Sequence, residues 1–127
     1  MRQRSSVLMG YIVVALALVS ASALHAATPA AKAYAIAEIT VTNPGAYKKY
    51  LAVVTPIVQQ FGGKYLARAG RIVPIEGTAP TGRFVVIEFP SLAVAQRFEA
   101  SPQYQAIAPL RRQAARTRLF LVEGALP

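Results

Sequence analysis

The chain has 127 residues, a formal net charge of +9 and no cysteine, aspartate or tryptophan, and its one histidine is His25. No disulfide is available to brace it, and Ser-His-Asp and Cys-His catalysis lack their residues. Glu38, Glu76, Glu88, Glu99 and Glu123 are the only acidic side chains, which argues against a transition-metal site, because such sites draw on His, Cys and carboxylates.

Arg2 and Arg4 open the chain, an uncharged run follows over residues 7–19, and small residues fill positions 20–23. Basic, apolar and small in that order is the layout of a secretory signal peptide. The apolar run is short of the roughly 20 residues a membrane span needs. Residues 1–26 are therefore read as a signal peptide, cleaved after Ala23 or Ala26. An uncleaved anchor is the alternative. Residues 27–33 read as a disordered leader. The expected location is periplasmic or secreted, with no stable membrane insertion after cleavage.

The remaining residues, 34–124, suffice for one domain with one modest core. Without disulfides, such an exported domain needs a well-packed core, an oligomer or both. Losing Arg2 and Arg4 takes the net charge from +9 to +7. A basic balance points to nucleic acid, anionic lipid or acidic ligands. Export argues against nucleic acid, and solubility through self-repulsion is the plain alternative.

Residues 34–41 alternate and favour a first strand. Asn43-Pro44 then gives an N-cap followed by a proline in the first turn. Tyr47, Tyr50, Leu51, Val54, Ile57, Val58 and Phe61 recur at three- and four-residue steps, which makes an amphipathic helix. Pro56 removes a backbone donor and is expected to bend it near Ala52. Gly62-Gly63 stops it, one glycine supplying a left-handed cap. The pair lacks the third glycine and the Lys-Ser/Thr of a phosphate loop.

Residues 64–69 read as the second strand. Gly70 breaks it, and residues 71–76 continue as extended or bulged chain. Residues 77–82 form a turn-rich loop. Residues 83–89 read as the third strand, with Val85, Ile87 and Phe89 on one face and Phe84, Val86 and Glu88 on the other. Ser91 caps a second helix, and Ser101-Pro102 starts a further helical piece that Pro109 limits or kinks. Residues 118–122 are the last strand.

The order β-α-β-β-α-β predicts an α+β, ferredoxin-like antiparallel sheet with its helices on one face. The uncovered face carries apolar residues, and a large exposed apolar patch marks an interaction surface. A second copy packed on that face gives a homodimer.

The segments 62–68, 75–77, 83–91, 101–104 and Leu110-Arg111 together resemble the domain of unknown function 1330 (DUF1330) family, from about residue 34 to 124. The resemblance implies a dimeric α/β-barrel of ferredoxin-like subunits. That superfamily also holds cofactor-free monooxygenases, isomerases and small-ligand binders. Two departures stand out: Asn43 replaces a frequent Asp before the first helix, and Phe98-Glu99-Ala100 replaces an aromatic pair ahead of Ser101-Pro102.

Glu88, mid-strand on an apolar face, is costly unless paired. It is either a general base with a raised pKa or one half of an ion pair with Arg68 or Arg111. Glu38 on the first strand has the same two readings. Arg68 and Arg111 are able to clamp a carboxylate or phosphate or to pair with the glutamates. Tyr104 either donates to a ligand oxygen or packs in the core. No metal or cofactor is expected. The leading function is binding of a small anionic or aromatic molecule. The alternatives are a cofactor-independent, monooxygenase- or isomerase-like enzyme with Glu88 as base, and a purely structural dimer.

Overall fold

The computed structural model describes residues 29–126; the signal-peptide reading lies outside them. The elements run β1 (Ala33–Val41), α1 (Pro44–Gln60), β2 (Lys64–Arg68), β3 (Arg83–Phe89), α2 (Leu92–Ala100), α3 (Pro102–Ala114) and β4 (Ala115–Glu123). All pairings are antiparallel, and the strand order is β2-β3-β1-β4. This is the expected ferredoxin-like α+β sheet, with the second helical segment split into α2 and α3.

The three caps explain the helix starts. Asn43 Oδ1 accepts from the Ala46 amide at 3.0 Å, Ser91 Oγ from Val94 at 3.2 Å and Ser101 Oγ from Tyr104 at 3.2 Å. Each satisfies one of the amides a helix N-terminus leaves free. Ser101 also donates to the Phe98 carbonyl at 2.7 Å, which stitches the end of α2 to the start of α3. Both helices with internal proline continue past it: α1 through Pro56 and α3 through Pro109 to Ala114. At the end of α1, Gly62 takes the left-handed conformation (φ +71°), and the amides of Gly62 and Gly63 close onto Gln59 and Val58.

Strict alternation places Ala33, Ala35, Ala37 and Ile39 of β1 under the helices. Tyr47, Tyr50, Val54 and Val58 of α1 meet them from above, as do Ala95 and Phe98 of α2 and Tyr104 and Ala108 of α3. The four small or branched residues of β1 let the helices approach the centre of the sheet. Phe89, Phe98 and Tyr104 fill one end in a chain of tilted rings, with centroids 5.1 and 4.6 Å apart.

Three boundaries differ from the sequence reading. β1 starts at Ala33, and Lys32 is already tied in: its carbonyl accepts from Gly124 at 2.7 Å. Residues 71–76 form no strand, because Ala69 turns into positive φ (+56°) after the last bond to β3. β4 begins at Ala115, directly at the end of α3.

A candidate anion-binding cavity

The alternation along each strand gives the sheet two chemically different faces. On the face away from the helices, Tyr34, Ile36 and Glu38 of β1 register with Glu88, Val86 and Phe84 of β3. They register with Val122, Phe120 and Arg118 of β4. Both catalytic candidates, Glu38 and Glu88, lie on this open face. Glu88 pairs with Lys32 at 2.7 Å, and Glu38 takes a two-pronged contact from Arg118 at 3.0 and 3.1 Å.

The expected pairing of Glu88 with Arg68 or Arg111 does not form: Arg111 projects from α3 on the covered side, and a bulge turns Arg68 there as well. In β2, Lys64 registers with Glu88 and Tyr65 with Ile87, but the register then slips, so that Ala67 meets Val86 and Arg68 meets Val85. An unbroken strand would keep residues 64 and 68 on one face. The one-residue slip turns Arg68 to the opposite side, since a strand's side chains alternate with a period of two.

On that covered side, between the sheet and α1 and α3, lies a cavity of about 50 Å³ open to water-molecule centres. A single water needs roughly 10–15 Å³ by the same measure. Its walls hold Arg68, Arg83 and Arg111 together with Tyr47, Tyr50 and Tyr65, and no carboxylate. Leu51, Val54, Ile87 and Leu119 supply apolar surface.

Each arginine is held differently. Arg68 lies over the Tyr65 ring, 4.1 Å from its centroid, at the solvent side of the cavity. Arg111 is buried and donates to the Tyr104 hydroxyl at 3.3 Å. Arg83 faces Tyr47 at 5.5 Å, and its Nε is out of solvent contact without a hydrogen-bond partner. Thr117 Oγ1 is in the same condition on the same cavity.

Burial pushes the Tyr50 phenol up, and the neighbouring Tyr104 hydroxyl adds to it. Burial raises Tyr65 too, against the pull of Arg68. These phenols stay protonated near neutrality and serve as donors, while the guanidinium groups stay charged. The wall therefore offers positive charge and hydrogen-bond donors to an oxygen-rich ligand. Among the described residues, no cluster of His, Cys, Asp and Glu is placed to hold a metal ion.

Of the five sequence candidates, the fold brings Arg68 and Arg111 to the cavity and sets Tyr104 directly behind Arg111. It places Glu38 and Glu88 on the other face. Sequence reasoning missed Arg83 and Thr117. Arg83 was within reach, because it shares parity with Val85, Ile87 and Phe89. Thr117 was not, because the last strand was started at residue 118.

Residues 32–125 match the family model described as a domain of unknown function, DUF1330. No curated protein matches the chain. A protein of unknown function from Rhodopseudomonas palustris has a similar structure, with TM-score 0.57 and 20% identity over 76% of this chain and 85% of that one. A cofactor-independent oxygenase from Streptomyces nogalater, SnoaB, superimposes with TM-score 0.53 and 12% identity, over 77% of this chain and 97% of that one. At these identities the likeness speaks to the fold.

Proposed function

The chain belongs to the DUF1330 family, and we propose that it is a metal-free binding protein for a small organic molecule, acting as a homodimer outside the cytoplasm. The observation that carries this reading is the cavity, where Arg68, Arg83, Arg111 and three tyrosines meet with no carboxylate among them. Convergent polar groups in an otherwise apolar recess are the usual form of a ligand site. Native mass spectrometry of protein purified from its source tests it. A retained organic mass supports the role, and a ligand-free protein that binds no small organic molecule in solution contradicts it.

Catalysis without a cofactor is the alternative. Proton abstraction needs a group that accepts a proton near neutral pH, and the candidate bases Glu38 and Glu88 are on the far face. Tyr50 and Tyr65, pushed above their ordinary values, are poor bases. Binding is the reading the cavity supports better. A purely structural dimer has no use for such a cavity and predicts no ligand.

The open face supports self-association. Its central row, Ala67, Val86, Ile36 and Phe120, is apolar, and Phe120 and Val122 are more than 40% exposed. The glutamates in the flanking rows are neutralised within the same protomer. Both carboxylates are therefore already paired as a second copy approaches along the apolar row. The basic, apolar and small-residue segments at the N-terminus support export.

A further inference from the structure

Resting on the binding role proposed above, we infer that the ligand is a compact monocarboxylate, and that Arg83 and Thr117 form its anion subsite. Buried polar atoms are nearly always hydrogen-bonded, and each exception calls for an explanation. Among the described residues, Arg83 Nε and Thr117 Oγ1 are the buried side-chain atoms without a partner. The two residues that carry these atoms line the same cavity. Ile39 registers with Arg83 on one side and with Thr117 on the other. The two residues thus flank it in a single row, with Cα positions about 9–10 Å apart, two strand spacings.

An acceptor ligand completes this arrangement. An arginine Nε has a proton to donate and no capacity to accept. Together with the adjacent Nη it presents a side-on fork that matches the two oxygens of a carboxylate. The Thr117 hydroxyl supplies a further donor from β4. Of the other two cavity arginines, Arg111 already donates to Tyr104, and Arg68 stacks on the Tyr65 ring at the solvent side. They contribute positive potential and leave the direct contact to Arg83. The fork is fixed from the backbone. Gly82, at φ +80°, leads into β3 where a Cβ would collide with the Ile39 carbonyl oxygen.

Size and lining narrow the class. A cavity of about 50 Å³ has room for roughly three to five water-sized groups, the scale of a short-chain organic molecule. Leu51, Val54, Ile87 and Leu119 surround that space with hydrocarbon. One charged head and a short apolar body fit it. A dianion such as phosphate would lose more hydration than a single free fork returns.

Calorimetric titration of the purified protein with butyrate, with the neutral isostere 2-pentanone and with inorganic phosphate tests the assignment. Butyrate is expected to bind at least about tenfold more tightly than 2-pentanone, the scale of one charge-assisted hydrogen bond. It is also expected to shift the Arg83 Nε–H resonance in nitrogen–proton spectra. Arg83→Met removes the preference, so that butyrate binds no more tightly than 2-pentanone. Thr117→Val, close to isosteric, weakens butyrate several-fold and guards against a folding defect in the first variant. Equal binding of butyrate and 2-pentanone overturns the carboxylate subsite while the binding role stands. Tighter binding of phosphate than butyrate overturns the monocarboxylate class. Absence of binding by all three overturns the inference, and if no ligand is retained in native mass spectra, the binding role fails with it.

Discussion

Arg111 donates to the hydroxyl of Tyr104 at 3.3 Å, and both side chains are buried, at 8% and 3% exposure. The two residues sit seven positions apart on α3, two helical turns, so one face of the helix carries both. Tyr104 also packs on Phe98 at 4.6 Å between ring centroids. The aromatic end of the core thus holds Arg111 at the edge of the cavity. Tyr104 is a positioning residue, and Arg111 is the wall it positions.

Tyr104→Phe keeps the ring and removes the acceptor. The buried guanidinium then loses a partner, which costs about 1–2 kcal/mol. Arg111→Met leaves the Tyr104 hydroxyl unpaired but takes the buried charge away, and is expected to cost less, since an unpaired buried hydroxyl is cheaper than an unpaired buried guanidinium. Urea denaturation of both variants checks the order. A larger loss for Arg111→Met would mean that the pair is a net source of stability.

Glu88→Gln leaves ligand affinity within about twofold, because distant, unconnected sites act independently. The same substitution removes the partner of Lys32. That pairing raises the Lys32 pKa, first through the hydrogen bond to Glu88 and then through its charge. A raised amine pKa stabilises the fold below the unfolded value, taken as 10.5, and the contribution disappears as pH rises through the higher folded value. Thermal melts of the parent and Lys32→Met should differ near neutrality and converge in strong alkali. A difference that persists unchanged at high pH contradicts the pairing.

Burial holds the Glu99 carboxyl above its ordinary value, against the opposing pull of Arg111 and Arg112. Raised acid pKa values mean stability lost as pH climbs from the unfolded value of 4.5 through the folded one. Glu99→Gln is therefore expected to raise the melting temperature at pH 7 and to flatten the profile just above pH 4.5. A lower melting temperature at neutral pH would show that the arginines outweigh the burial.

Much of the fold is legible in the sequence because its punctuation is chemical and local. Asn43, Ser91 and Ser101 cap helices with their own side-chain oxygens, and Gly62 takes the positive φ that glycine permits. The candidate site was legible only in part. The side of the sheet on which Arg68 falls depends on a bulge between Tyr65 and Ala67, and a single extra residue leaves little mark in an alternating run. Thr117 was hidden because α3 passes into β4 with no turn residue between Ala114 and Ala115. Arg116 lies in β4, close after the helix end that carries Arg111 and Arg112. Arg83 shares the parity of Val85, but only the packed core reveals its unpartnered Nε, whereas the two glutamates pair locally on the open face.

Gly82→Ala tests the backbone that presents Arg83. A side chain at φ +80°, with its Cβ against the Ile39 carbonyl oxygen, is expected to cost about 1–3 kcal/mol. Butyrate affinity should fall with it, since Arg83 is displaced. Denaturation and titration of the same preparation give both numbers. Full stability with full affinity would contradict the positioning role of the glycine.

Ile36→Arg places a charge in the apolar central row of the open face. Sedimentation of the parent is expected to show a dimer and that of the variant a monomer with native circular dichroism. A monomeric parent contradicts the self-association reading, and leaves the cavity untouched.

The central claim is that the ligand sits between sheet and helices and not on the open face. Nitrogen–proton spectra recorded while butyrate is added to the purified protein test it most directly. Shifts gathered at Tyr47, Tyr50, Val54, Arg83 and Thr117, with Ile36, Val86 and Phe120 unmoved, are the predicted result. Shifts confined to the open face, or none at saturating butyrate, would contradict it.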